Sequence, residues 1–180
     1  MGKQLDHITP ELQEFIEAQP LFFVGTAMKE GRVNISPKGM DTLRVMSPNE
    51  VVWLNLTGSG NETAAHLLED DRMTLMFCAF EGKPLILRLY GRAKTYHERD
   101  EEFQRCIKRF PELPGARQII KMEIDLVQTS CGFGVPLMDF KEERTLLRDW
   151  AEKQGEKRLK TYWKTKNNVS LDGYPTQIAE

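Results

Sequence analysis

Cysteine and histidine are scarce in this chain and never clustered. Cys78, Cys106 and Cys131 lie far apart with no CxxC pair, and His7, His66 and His97 are equally scattered. An odd, dispersed set excludes a disulfide framework and offers no zinc-ligand group, so no metal site is expected. Charge of one sign is also lacking. Lys and Arg number 25 against 27 Asp and Glu, a formal net charge of -2, and the two signs are interspersed. That balance removes the bulk electrostatic case for nucleic acid or an anionic membrane, so any anion site must be local. Long apolar runs are missing too. A stretch such as LFFVGTAM (21–28) is far short of the roughly 20 residues a spanning helix needs, and the polar start MGKQLDHITPE has no signal-peptide core. The expectation is a cytoplasmic protein that needs no membrane and no nucleic acid.

What is present suits one soluble domain over 1–180: 180 residues with 40% hydrophobic content can bury a real core. Thr9 and Pro10 read as N-cap and first residue of a helix carrying Leu12, Phe15 and Ile16, so 1–20 forms an N-terminal helical segment. LFFVGTAM, the turn signal KEGR and the alternating RVNIS then make a hairpin. LRVMS and VVWLNLT are two more strands. NETAAHLLEDD has helical composition, with Asn61 as cap and Leu67 and Leu68 facing inward. MTLMFCAF and LILRLYGRAKTY form another hairpin around EGKP. Phe103, Cys106, Ile107 and Phe110 repeat at helical spacing and read as core, whereas Ile120, Met122, Ile124 and Leu126 alternate as a strand ending in TSCGFGVP. Cys131 there is expected to be a small packing residue. Residues 140–180 turn helical, with Leu146, Leu147 and Trp150 before a stop at Gly155, Leu159, Tyr162 and Trp163 after it, and a turn-rich tail NNVSLDGYPT. Six or seven antiparallel strands joined by hairpins and flanked by helices predict a mainly β, α+β architecture: a small barrel decorated with helices.

Two stretches stand out chemically. In GRVNISPKG, Val33 and Ile35 alternate with Arg32, Asn34 and Ser36, a strand with one dry and one wet face. Pro37 removes a backbone donor and Gly39 permits positive φ, so the ladder is expected to end near Ser36 and leave Lys38 in a backbone-defined position. In LTGSGNETAAHL a strand, a Gly-Ser-Gly bend and a helix start follow one another. Glycines allow close backbone approach, and a helix N-terminus offers unpaired N–H groups with partial positive charge, which together suit a phosphate. Ser59, Asn61 and Thr63 add short donors. An ordinary N-cap made by Asn61 accounts for the same residues, and Glu62 carries the wrong charge for a phosphate neighbour. Arg88, a cation inside LILRLYG, fits a solvated strand face as well as a ligand contact.

Taken in order, a strand ending in lysine, a strand ending in Thr-Gly-Ser, a helix carrying Ala-Ala-His-Leu and the hairpin MTLMF…LILRLYGRA resemble the pyridoxamine 5'-phosphate oxidase-related split barrels over about residues 10–130. The similarity is greatest to relatives of unknown substrate that share GSGNET and SCGFGVP. The resemblance implies an antiparallel split β-barrel of the FMN-binding type and a homodimer whose flavin site lies at the subunit interface. It also implies cofactor contacts from Asn34, Ser36, Lys38, Thr57, Ser59, Asn61, Thr63 and Arg88. Where the oxidases have Ser-Arg-Lys at the helix start, this chain has Asn61, Glu62 and Thr63, so two phosphate-pairing cations are replaced and Lys38 or Arg88 must supply charge. The oxidases also end in an Arg/His segment that binds pyridoxal phosphate, absent from NNVSLDGYPT. The implied activity is therefore an FMN-dependent oxidoreductase other than pyridoxamine phosphate oxidation. A non-catalytic flavin- or other ligand-binding protein or stress-response module, and a split barrel that has lost its cofactor, are the alternatives.

Overall fold

Thr9 caps the first helix as its sequence requires: its side chain accepts from the Leu12 N–H at 3.4 Å and Pro10 stands at the first helical position. In the computed structural model, which describes residues 2–179, a two-residue strand β1 (Gln4–Leu5) precedes this helix, α1 (Pro10–Ala18). There follow β2 (Phe22–Thr26), β3 (Asn34–Lys38), β4 (Leu43–Ser47), β5 (Glu50–Leu56), α2 (Glu62–Glu69), β6 (Arg72–Cys78), β7 (Ile86–His97) and α3 (Glu101–Cys106). A 3-10 turn, β8 (Ala116–Ser130) and α4 (Leu146–Lys166) complete the order.

The strands form one antiparallel sheet in the order β3-β2-β6-β7-β8-β5-β4, with β1 added against β8. That makes eight strands, one more than the sequence pattern predicts, because a two-residue strand is too short to show alternation. The sheet curls on itself. Phe22 on β2 and Trp53 on β5, four places apart in the strand order, meet edge to face with ring centroids 6.2 Å apart. β3 and β4 remain unpaired edges, so the barrel is split rather than closed. Its interior is filled by Val24, Val51, Leu75, Phe77, Leu87, Leu89, Ile120 and Met122. A second core lies outside β5 and β8, where Val52, Leu54 and Ile119 pack on Phe103, Cys106 and Phe110. β8 is therefore buried on both faces over Arg117–Ile120, and its alternation is clean only further along.

Several local expectations are corrected. β3 does not stop at Ser36 but runs through Pro37, which pairs with Phe23, to Lys38, which pairs with Phe22. An edge strand has one row of donors with no ladder to feed, so a proline is tolerated there. Its faces are also the reverse of the hydrophobicity pattern: Val33 and Ile35 are 69% and 70% exposed, while Asn34, Ser36 and Lys38 are half-buried. After the strand the left-handed residues are Met40 and Asp41, not Gly39. Leu68 is exposed, leaving Leu67 as the inward leucine of α2. Cys131 is exposed rather than packed, whereas Cys106 lies in the core as its spacing requires. The break in α4 does fall at Gly155, whose φ of 66° suits a residue without a Cβ. Trp150 and Tyr162 then pack edge to face across it at 5.4 Å.

Candidate functional site

Register decides which side chains share a face. Asn34, Ser36 and Lys38 pair with Thr26, Val24 and Phe22, all of which point into the barrel, so the three polar residues of β3 line the inner side of the split. The turn after Lys38 is held from two sides. Thr42 donates to the Gly39 carbonyl at 2.7 Å, and Arg44 grips the Asp41 carboxylate with two bonds of 2.6 and 2.8 Å. Lys38 Nζ then lies 5.0 Å from the Trp53 ring centroid, reaching from one barrel edge toward the other. No carboxylate pairs with it among the described residues. Burial, with a smaller contribution from the charge of Arg117, brings its ammonium down to about 8. Deeper in, Asn55 donates to Gln118 Oε1 at 3.0 Å, while Gln118 Nε2 is buried with no partner.

The second part of the site is the bend between β5 and α2. Asn61 occupies the N-cap position, yet its side chain makes no capping bond to the helix; it donates instead to the Asn167 carbonyl at 3.3 Å. The N-cap explanation of this residue therefore fails. Among the described residues the backbone N–H groups of Ser59, Gly60, Asn61, Glu62 and Thr63 find no protein acceptor. Glu62 is turned to the tail, where its carboxylate accepts from the Leu171 N–H at 3.0 and 3.1 Å, so its charge is already engaged. Thr63 is buried and accepts from Asn34 Nδ2 at 3.3 Å, and Thr26 and His66 extend that network with a 3.1 Å contact. β3 and the start of α2 are thus tied by side-chain hydrogen bonds.

The remaining sequence-derived residues divide. Ser59 is exposed at the tip of the bend. Thr57 is buried and committed: it donates to the Gly115 carbonyl and accepts from the Trp163 indole N–H, each at 2.8 Å. Arg88 lies on the outer face of β7, between the inward Leu87 and Leu89, and bonds Ser130 Oγ at 3.3 Å. There it lines an open cavity of about 540 Å³ with Phe23, Val33, Ile35, Met76 and Tyr90. The structure brings Asn34 and Thr63 into contact and sets Ser36 and Lys38 on the same face, but puts Arg88 across the sheet from them.

Sequence reasoning missed Arg117 and Asn167. Arg117, on β8, is only 3% exposed, and Nη1 donates to the Gly60 carbonyl at 3.0 Å and to Asn167 Oδ1 at 2.8 Å. A single arginine opening a strand carries no spacing signal. Asn167 sits in a segment that reads only as turns.

The profile of the pyridoxamine 5'-phosphate oxidase family matches residues 8–131. The chain belongs to that family. A family member from Aspergillus flavus, the pyridoxamine 5'-phosphate oxidase family protein ustO, is 38% identical over 190 residues, covering 94% of this chain and 76% of its own length. Among solved structures, a point variant of HupZ from Group A Streptococcus superposes with a TM-score of 0.56 at 17% identity, covering 68% of this chain and 99% of its own. The FAD binding protein from Mycobacterium smegmatis gives 0.51 at 14% identity, covering 70% and 97%. The family match ends at Cys131, so the SPKG strand, the Gly-Ser-Gly bend and Arg117 fall within the family region, while α4 and the tail that grips the bend lie beyond it.

Proposed function

We propose that this chain binds flavin mononucleotide in the split, as a homodimer, and supports a redox reaction on a small molecule other than pyridoxamine 5'-phosphate. The observation that carries this reading is a donor-rich lining in which the one carboxylate at the bend, Glu62, is turned to the tail. Lys38 lies half-buried without an acid, and five consecutive backbone N–H groups at the start of α2 are unpaired. Such a lining fits a phosphate and a ring edge that carries hydrogen-bond acceptors better than it fits a neutral apolar ligand. The flavin supplies hydride chemistry when bound, and the protein's part is to bind and orient it. Asn34, Ser36 and Lys38 would face it from β3, with Ser59, Thr63 and the backbone N–H of Asn61 at the phosphate. Arg88 could reach the cofactor only from a second copy, which agrees with its place on the outer sheet face beside exposed Val33 and Ile35.

Family membership and the FAD-binding Mycobacterium smegmatis neighbour support a flavin. The test is a visible spectrum of freshly purified protein, followed by titration of the stripped protein with flavin mononucleotide, FAD and riboflavin. Flavin mononucleotide should bind most tightly. Thr63→Ala should weaken it several-fold, about 1 kcal/mol, with less effect on riboflavin. Absence of any flavin binding would sink the proposal. Reduction of the bound flavin by NADH or NADPH separates a turnover enzyme from a carrier.

A further inference from the structure

Three consecutive carbonyls in the bend point the same way. Asn167 Nδ2 donates to the Gly58 carbonyl at 3.1 Å and the Ser59 carbonyl at 3.4 Å, and Arg117 Nη1 donates to that of Gly60 at 3.0 Å. The peptides are trans, so each C=O is opposed by the N–H of the following residue. Fastening the three carbonyls on one side therefore aims the N–H groups of Ser59, Gly60 and Asn61 away from Asn167 and Arg117. None of these three has an acceptor among the described residues. A donor on a carbonyl also polarises its peptide, which strengthens the N–H on the far side.

The clamp itself is rigid. Asn167 is fully buried, its Oδ1 accepts from Arg117, and its carbonyl accepts from Asn61 Nδ2 and, at 2.6 Å, from Thr176 Oγ1. The tail beyond it is pinned by Leu171 on Glu62 and by the Asp172 pair with Arg32. Arg117 is the unusual member. It is buried with no carboxylate in reach among the described residues, and its Nε has no partner at all. Burying an unbalanced guanidinium is unfavourable, and burial accordingly holds its pKa below the ordinary arginine value. The same charge bears on Lys38. Arg117 is thus a buried charge behind the bend that no ion pair balances among the described residues, a condition that an anion seated at the bend relieves.

We infer that Asn167 and Arg117 are positioning residues for a phosphate monoester: from behind the Gly58–Asn61 bend they aim three N–H groups at it and supply the positive charge that Glu62 and Thr63 do not. This deepens the flavin mononucleotide reading and rests on it for the identity of the ligand. It gives the C-terminal extension a role, since Asn167 closes α4 and lies outside the family region.

The test uses the full chain and compares wild type with Asn167→Asp, Asn167→Ala, Arg117→Gln and Arg117→Lys. Each is titrated with flavin mononucleotide, riboflavin and inorganic phosphate, and a thermal melt reports folding. Wild type should prefer flavin mononucleotide over riboflavin by about tenfold or more, a difference of ~1.4 kcal/mol. Asn167→Asp cannot donate to the bend and neutralises Arg117, so it should bring the preference close to unity with riboflavin affinity retained. Arg117→Gln should do the same and Arg117→Lys should restore part of it, a rescue that mere packing does not predict. Should the alanine and glutamine variants not fold, Asn167→Asp and the salt dependence of the wild-type preference decide. An unchanged preference in every folded variant, or a wild-type preference insensitive to salt, overturns the inference. If wild type binds neither flavin, the flavin reading fails separately. Phosphate binding that is lost in Asn167→Asp still supports the seat, and no phosphate binding to wild type overturns it.

Discussion

Lys38 Nζ stands 5.0 Å from the centre of the Trp53 ring, so a cation from one edge of the split barrel rests on an aromatic face from the other half. Such a contact contributes roughly 0.5–2 kcal/mol, more as water is excluded. It fixes the ammonium between the two halves of the split.

With its pKa lowered to about 8, chiefly by burial, Lys38 loses its charge within an accessible pH range. Flavin mononucleotide affinity should therefore weaken as pH rises through about 8, and Lys38→Arg, which stays charged, should keep its affinity. Stability runs the other way. Between about 8 and the ordinary value of 10.5 the unfolded chain holds a proton on Lys38 that the folded chain has released, so stability rises with pH across that window. Lys38→Met should remove this rise in urea unfolding measured at both ends of the window. A flat affinity profile would show that Lys38 does not meet the anion.

Thr57→Val is expected to act on stability and not on ligand binding. Trp163 is nearly buried and its indole N–H has Thr57 Oγ1 as partner at 2.8 Å. Removing that acceptor leaves a buried donor unpaired, a loss of about 1–3 kcal/mol in chemical denaturation. A large fall in flavin affinity with unchanged stability would return Thr57 to the binding site.

Ile35→Lys, alone or with Val33→Lys, should yield a monomer in sedimentation velocity if the outer face of β3, β2, β6 and β7 is covered by a second copy. Both residues are about 70% exposed beside an open apolar cavity, a face that a monomer has little reason to keep. A wild-type protein that sediments as a monomer at micromolar concentration would contradict the interface.

Gly91→Ala tests the barrel itself. β7 and β8 slip register between Tyr90 and Gly91, and a Cβ at Gly91 would overlap the Glu123 carbonyl. Backbone cannot yield by that much without breaking the ladder, so a loss above about 4 kcal/mol, read as failure to fold or an early melt, is expected.

Much of this was legible beforehand. The strands of both hairpins, the cap at Thr9 and the break at Gly155 could be read because each rests on neighbours in sequence: alternation, a capping hydroxyl, a residue without a Cβ. The split barrel was implied only by the family resemblance. The pattern failed where burial was set by something distant. Val33 and Ile35 alternate as a dry face should, yet they point outward, because the polar inner face of β3 is engaged by Thr63 and Trp53 from other elements. Asn61 has the composition and position of a cap and does not cap, because Asn167 takes its side chain.

The sequence by itself determined the elements, their antiparallel hairpins and the two stretches, SPKG and GSGN, that carry the candidate chemistry. Only the tertiary structure decided how those stretches are charged. The cation behind the bend comes from Arg117, 57 positions from the Gly60 carbonyl it bonds, and the clamp from Asn167, 109 positions from the Gly58 carbonyl. Local periodicity has a range of a few residues, whereas desolvation and hydrogen bonding act between whatever groups folding brings within a few ångströms.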